Sequence, residues 1–443
     1  MDSDGSNLGP TYGELLDPAS ITEDLREAAR IARHGEASDP LSLYNLHWMD
    51  DLGEVTSIVL PSEFTGLSTR IVVMLGEKFP AGSAHTGPAY AMLMERQLHG
   101  EITPGEGRII VPSTGAFGLS AAWAARVMGY AITAVVPRSA LETRQPALQA
   151  LGAQVEAGGD TPADILDTID AAWSHAKEGD VVLNPYDDFA PYRYHALVTS
   201  AAIRALVNGS NASEGSARLA ALVAPTGAGA LLAAGESLTG VAVLAAEPAE
   251  CAPLADGTVY QHSVADAGPR VPIWTDNLMA LDGAVSVPHR DYRAVAQFLS
   301  QPSEVLEALG VREAAAQRLS GSCGPAACLA IAAGLKVAQF YGFGSQEVVV
   351  VAAPDSGSLP ALGNEEQARS WFDAIRSLRP DGVIEATTRL RRRWHHLKYG
   401  PWVERRGKGV DALRRQQDPE FWAEQRSRAS SIDRRIMAFR SPA

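Results

Sequence analysis

A chain of 443 residues, 46% hydrophobic and 20% charged, has the composition of a folded globular protein with room for two core-bearing units; wholesale disorder is excluded. Its formal net charge of −14 argues against nucleic acid as the main partner and suits work on a small molecule. Only three cysteines occur, Cys251, Cys323 and Cys328, with no ligand-type spacing, so neither a disulfide scaffold nor a zinc site is expected.

The charge is unevenly spread. From Arg389 onward there are 15 Lys/Arg against 6 Asp/Glu, a tail of net +9 on a body of net −23. Such a tail is expected to pack back on the acidic body or on a second subunit. A nucleic-acid arm is the sharper alternative, but no aromatic-interleaved RNA module surrounds it. The N-terminus, Met1-Asp2-Ser3-Asp4-Gly5, is acidic and does not read as a signal peptide. The apolar run 217–234 is broken by Pro225 and Gly227, so it is a poor membrane span. A cytoplasmic protein is expected.

In chain order, residues 1–40 form a polar arm with one amphipathic segment, 21–32. Strand candidates follow at 55–60 and 70–75. The turn from Gly76 to Ala89 then leads into a helical pattern at 90–98. Strand and helix patterns alternate from there: strand 108–111, helix 118–128, strand 131–136, helix 141–151, strand 154–156 and helix 162–176. They continue with strand 181–183, helix 195–206, strand 220–223, a helix beginning at 231–234, strand 241–246, helix 326–338 and strand 347–352. Short Val/Ile-rich strands between helices of about 10–15 residues predict parallel α/β sheets. Ligands in such folds sit at the carboxyl ends of strands. The resulting division is an arm at 1–40, a main domain at 41–375 with a smaller subdomain at about 88–160, and a basic extension at 376–443.

Four Gly-rich turns fall where strands hand over to helices. Gly82-Ser83-Ala84-His85-Thr86-Gly87 presents three polar side chains beside free N–H groups, a setting that suits an anion. Ser113-Thr114-Gly115 either caps the next helix or binds an anionic group. Thr226-Gly227-Ala228-Gly229-Ala230 permits close backbone approach, as a phosphate cradle requires. It is no P-loop, because no Gly-Lys-Ser/Thr ends it. Ser322 either caps the helix at 326 or bonds a heteroaromatic nitrogen. Cys323 has no neighbouring His or Lys and reads as an inert thiol.

The order of these turns resembles the tryptophan synthase β-like, or cysteine synthase-like, pyridoxal-phosphate (PLP) family of fold type II. The resemblance covers roughly residues 45–360. Gly82-Ser83-Ala84-His85 lies where the family has Gly-Ser-x-Lys, and Gly105 to Gly118 follows its Pro-Gly…Thr-Ser-Gly-Asn-x-Gly stretch. Gly129-Tyr130 to Pro137 and Leu151-Gly152-Ala153 continue it. Thr226 to Ala230 match the phosphate loop, and Glu247-Pro248 a recurrent Glu-Pro. Ser322-Cys323-Gly324 match Ser-Ser-Gly-Ala, and Pro354-Asp355-Ser356-Gly357 the terminal Pro-Asp-Ser-Gly. The resemblance implies two α/β subdomains flanking a cleft, an amino-acid-like substrate and a homodimer.

Two departures fall on the reactive face. His85 replaces the lysine that condenses with the cofactor aldehyde, and imidazole has no primary amine to do so. Ala116 replaces the asparagine that bonds the phenolic oxygen. Lys78 is the nearest lysine, seven residues before His85, and a strand-to-turn register does not easily bring its amine into place.

Three readings of His85 stay open. It moves a proton in a divergent lyase- or transferase-like reaction of the β-elimination or replacement kind. There Ser83, Ser113, Thr114 and Gly115 hold the substrate, Thr226 to Ala230 a phosphate, and Ser322 a ring nitrogen. PLP would be held non-covalently or through the substrate amine, or be absent. Alternatively the site is non-catalytic and the protein is a regulatory or structural partner. Finally, His85 is a satisfied, partly buried histidine filling the lysine's space, which is compatible with the second reading.

Overall fold

The short apolar runs sort into two main sheets. The computed structural model describes residues 8–34, 38–208, 217–227, 230–264, 267–356 and 365–440. Seven strands lie in the order Ser57–Val59, Arg70–Leu75, Glu347–Ala353, Arg218–Pro225, Ala242–Pro248, Gly283–Val287 and Val383–Glu385. The five inner strands run parallel and the two edge strands antiparallel. A second, all-parallel sheet has the order Gln154–Ala157, Ile132–Val136, Ile109–Pro112 and Val181–Val182. Its fourth strand carries the smaller sheet past residue 160, the expected subdomain limit.

Parallel strands covered by helices on both faces read as unbroken apolar runs. Val348 to Ala353 are all buried, and the helix Pro325–Tyr341 lies on them with Ala326 to Ala338 buried. That helix comes very close: a Cβ on Gly334 would meet Val351 Cγ2 at 2.6 Å. On the smaller sheet's side, helices Thr86–Leu98 and Ala116–Met128 pack against each other. The arrangement sets the turns after Leu75, Pro225 and Ala353 on neighbouring strands, and the turn after Pro112 opposite them. Two strands that the sequence pattern did not predict, Gly283–Val287 and Val383–Glu385, complete the edge of the large sheet.

The basic tail packs on its own body. It forms helix Thr388–His396, a π-helical turn Tyr399–Arg405, helix Val410–Arg415 and the long helix Pro419–Arg440. Its cations meet body carboxylates: Arg391–Asp282 at 2.8 Å, Arg405–Asp170 at 2.6 Å, Lys408–Asp187 at 2.8 Å and Arg426–Glu236 at 2.9 Å. Such partly exposed pairs each contribute about 0–1 kcal/mol. Burial of Trp394, Trp402, Trp422, Ile432 and Ile436 weighs more. Each large apolar side chain taken out of water contributes roughly 1.5–3 kcal/mol. Among the described residues no helix is long and apolar enough to cross a membrane.

Candidate cofactor cleft

After strand Arg70–Leu75 the chain makes two short 3-10 turns, Gly76–Lys78 and Pro80–Gly82. Ser83 then bridges to Asp355, at the end of the neighbouring strand. The helix starts at Thr86, four residues before the apolar pattern begins. The Thr86 hydroxyl donates toward Ser83 O at 2.7 Å and Pro80 O at 2.5 Å. Pro88, lacking an N–H, is tolerated in the first turn. His85 thereby becomes the residue preceding the helix, and it is only 1% exposed.

The His85 ring faces Phe117, with centroids 6.0 Å apart and planes inclined at 60°. A second buried imidazole, His195, lies near it on the π-helical turn His195–Thr199. Burial, and to a lesser extent the charge of His85, pushes His195 well below its ordinary value. Its Nδ1 pairs with Thr199 Oγ1 at 2.9 Å, and Trp48 Nε1 donates to the same hydroxyl at 2.8 Å. Close packing here requires glycine at position 87, where a Cβ would fall 2.1 Å from the Tyr194 ring.

Ser83, Ser113 and Thr114, assigned to a ligand, bond to the chain itself. Ser83 Oγ donates to Pro354 O at 3.2 Å and accepts from His85 N at 3.2 Å. Ser113 Oγ accepts from Gly118 N at 2.7 Å and donates to Gly115 O at 3.1 Å, which caps helix Ala116–Met128. Thr114 gives its N–H to the Tyr186 hydroxyl at 3.1 Å, and the two hydroxyls lie 3.0 Å apart.

Across the cleft, Thr226 N donates to Ala246 O at 3.0 Å. Gly227 has φ +81°, and a Cβ there would meet Pro269 Cδ at 2.8 Å. Ala228 and Gly229 lie outside the described residues. Ala230 takes a left-handed conformation, φ 64°, and opens the five-residue 3-10 turn Leu231–Gly235 in place of the expected helix. Ser322 Oγ donates to Leu319 O at 3.0 Å. Asp355 accepts from Ala327 N at 3.1 Å and Ala326 N at 3.4 Å, at the start of helix Pro325–Tyr341. Cys323 is buried, and burial pushes its thiol up to about 12, as an inert thiol requires.

These contacts decide whether the residues fit a lysine-tethered PLP. Ser83, His85, Ser113, Thr114, Ala116, Thr226, Ala230 and Ser322 are all 7% exposed or less. A cavity of about 610 Å³ lies elsewhere, between helix Glu23–Arg33 and residues 44–53. No lysine supplies the missing amine. Lys78 and Lys177 are exposed, and Lys336, Lys398 and Lys408 are engaged by Asp291, Gln416 and Asp187. The residues present do not fit a lysine-tethered cofactor.

Tyr186, His195 and Phe117 escaped the sequence reading because none carries a spacing signal. Tyr186 stands 72 residues from the threonine it bonds.

A family model described as "Pyridoxal-phosphate dependent enzyme" matches residues 55–355. Cysteine synthase B of Pseudomonas aeruginosa is 31% identical over 115 residues, covering 25% of this chain and 37% of that protein. Cysteine synthase B of Pseudomonas syringae pv. syringae is 29% identical over 106 residues, 24% of this chain and 62% of its own length. The chain thus spans less than two thirds of either relative. Among solved structures, O-ureido-L-serine synthase superposes with a TM-score of 0.57 at 21% identity, over 71% of this chain and 91% of that one. A lysine-to-alanine variant of that synthase with O-ureido-L-serine bound gives 0.57 at 19%, over 76% and 95%. O-acetylserine sulfhydrylase isoform 3 from Entamoeba histolytica gives 0.56 at 22%, over 75% and 95%. At such identities the likeness is one of fold, the parallel α/β architecture of fold type II. With the family model matching most of its length, the chain belongs to the pyridoxal-phosphate dependent enzyme family.

Proposed function

We propose that this chain keeps its family's fold without the lysine-borne chemistry and acts as a non-catalytic, regulatory or structural partner. One observation carries the reading: His85, where the resemblance puts the lysine, is a buried imidazole packed on Phe117. Thr114, Ser113 and Ser322 support it, because each is bonded within the chain. A homodimer in the cytoplasm belongs to the same proposal; the three cysteines, all free and buried, are consistent with a reducing setting. Purified protein should show no PLP absorbance, and borohydride should leave no adduct on any lysine. A cofactor band that appears on adding PLP sinks the reading.

A second reading is a divergent lyase- or transferase-like reaction on an amino-acid-derived substrate, with His85 as acid and base. What favours it is His195, whose Nε2 is buried near His85 and has no hydrogen-bond partner among the described residues. A lysine-to-alanine variant of O-ureido-L-serine synthase, a protein of the same fold, is described with O-ureido-L-serine bound. On this reading, incubation with O-acetyl-L-serine or O-ureido-L-serine consumes the amino acid, and His85→Ala abolishes turnover while leaving the fold intact. Unchanged turnover in His85→Ala removes His85 from the mechanism.

A further inference from the structure

We infer that the C-terminal extension is a strap that braces the Thr114 turn, acting through Tyr186. The inference concerns what holds that turn in place, whatever the cleft binds.

A continuous path runs from the tail to the cleft. Lys398, at the end of the first tail helix, is fully buried. Its Nζ donates to Trp274 O at 2.8 Å, Asp276 O at 2.5 Å and Gln416 Oε1 at 2.7 Å, using the three donors of an ammonium group. Trp402, one turn on, gives its indole N–H to Pro272 O at 2.8 Å. Both tail residues thus grip one body segment, 272–276. That segment holds Tyr186 in turn, because Trp274 N donates to Tyr186 O at 2.9 Å. Tyr186 places its hydroxyl on the amide and hydroxyl of Thr114, in the turn that opens helix Ala116–Met128.

The packing repeats the path. Tyr186, Ala230, Trp274, Trp402 and Trp422 share one apolar cluster. Two tail tryptophans therefore brace the Thr114 turn through Tyr186 on one side and the Ala230 turn on the other. The tail's grip is also costly to lose. Releasing Lys398 leaves buried carbonyls of Trp274 and Asp276 without their donor, a penalty larger than the net worth of the bonds themselves.

A tail that merely stabilises the body would raise overall stability without touching the cleft in particular. Amide hydrogen exchange on the full chain separates the two. Trp402→Phe removes the bond to Pro272 O and keeps the ring; Lys398→Met removes the other grip. In each variant exchange at residues 114–117 should quicken by about tenfold or more, while strand Glu347–Ala353 stays as protected as in wild type. Tyr186→Phe should quicken Thr114 alike and leave residues 388–405 unchanged, since it breaks the path beyond the tail. The strap is contradicted if the tail variants loosen residues 388–405 but leave 114–117 at the wild-type rate. It is equally contradicted if neither tail variant folds, because a strap is separable from the body it braces. Exchange reads the hold on the Thr114 turn whether or not the cleft binds anything. A PLP band in wild type would therefore sink the non-catalytic reading and leave the strap standing.

Discussion

Glu95 and Arg193 form a buried ion pair where the arm, the body and the tail converge. Arg193 Nε donates to Glu95 Oε1 at 2.8 Å, and Arg193 Nη2 reaches the second oxygen. Tyr12, from the arm, donates its hydroxyl to Glu95 Oε1 at 2.7 Å, and Gln425, from the tail, accepts from Arg193 Nη1 at 3.5 Å. Burial alone would pull the guanidinium down, but the Glu95 carboxylate keeps Arg193 above its ordinary value.

Breaking one side of such a pair strands a buried charge. Glu95→Leu or Arg193→Met should each destabilise the chain by roughly 3–5 kcal/mol in urea denaturation, and the double variant should recover much of the loss. Additive losses would mean that the two side chains do not act as a pair.

The arm is closed on the tail by a cap from outside its own sequence. Asp433 accepts from Tyr12 N at 2.8 Å and Gly13 N at 3.0 Å, at the start of helix Tyr12–Leu16. Asp433→Ala should cost about 1 kcal/mol and make residues 8–16 exchange faster, as loss of a helix cap does. Unaltered exchange in that helix would assign its stability to Thr11, which caps it locally, accepting from Glu14 N at 3.0 Å.

His85→Ala tests the packing of the imidazole. Removing a buried ring that faces Phe117 leaves a cavity and should cost roughly 2 kcal/mol in urea denaturation. A variant as stable as wild type would mean the ring is not part of the packed interior.

The strand–turn–helix order was legible because parallel strands buried on both faces are continuous apolar runs and the turns between them need glycine. The pattern at 347–352 became strand Glu347–Ala353, and that at 326–338 became helix Pro325–Tyr341. Strand Gly283–Val287 was missed: five residues with Gly and Ser carry little apolar signal, and its neighbours supply the pairing. That His85 stands where the resemblance expects a lysine was visible, but the packing of its ring on Phe117 was not. Thr114 bonds the Tyr186 hydroxyl and Ser113 a helix start, contacts that no spacing in the sequence reveals. The tail's arginines showed that it meets acid. Its destination depends on Lys398 and Trp402, whose partners are backbone carbonyls that no side-chain pattern reveals.

Glu247 gives the account a pH signature. It is fully buried at the end of strand Ala242–Pro248 and accepts from Leu254 N at 3.1 Å and Ala255 N at 3.0 Å. Burial holds its carboxyl up to about 8 from an ordinary 4.5, against the pull of those two bonds. The folded chain keeps a proton that the unfolded chain gives up, so this contribution to stability is fully present below pH 4.5 and is lost as pH rises through about 8. Glu247→Gln should flatten the fall in Tm between about pH 5 and 8, each pKa unit being worth about 1.4 kcal/mol. Parallel Tm curves for variant and wild type would show Glu247 ionised in the fold.

The central proposal is that, with His85 where the resemblance expects a lysine, the chain does not tether the cofactor. Absorbance of the purified protein between about 320 and 450 nm, recorded before and after adding PLP and then borohydride, tests it most directly. The account predicts no bound-cofactor band, none gained on addition, and no lysine in the chain carrying a reduced adduct at more than the level of free-solution labelling. A stoichiometric band, or a reduced pyridoxyl group on Lys398 or Lys78, would contradict it.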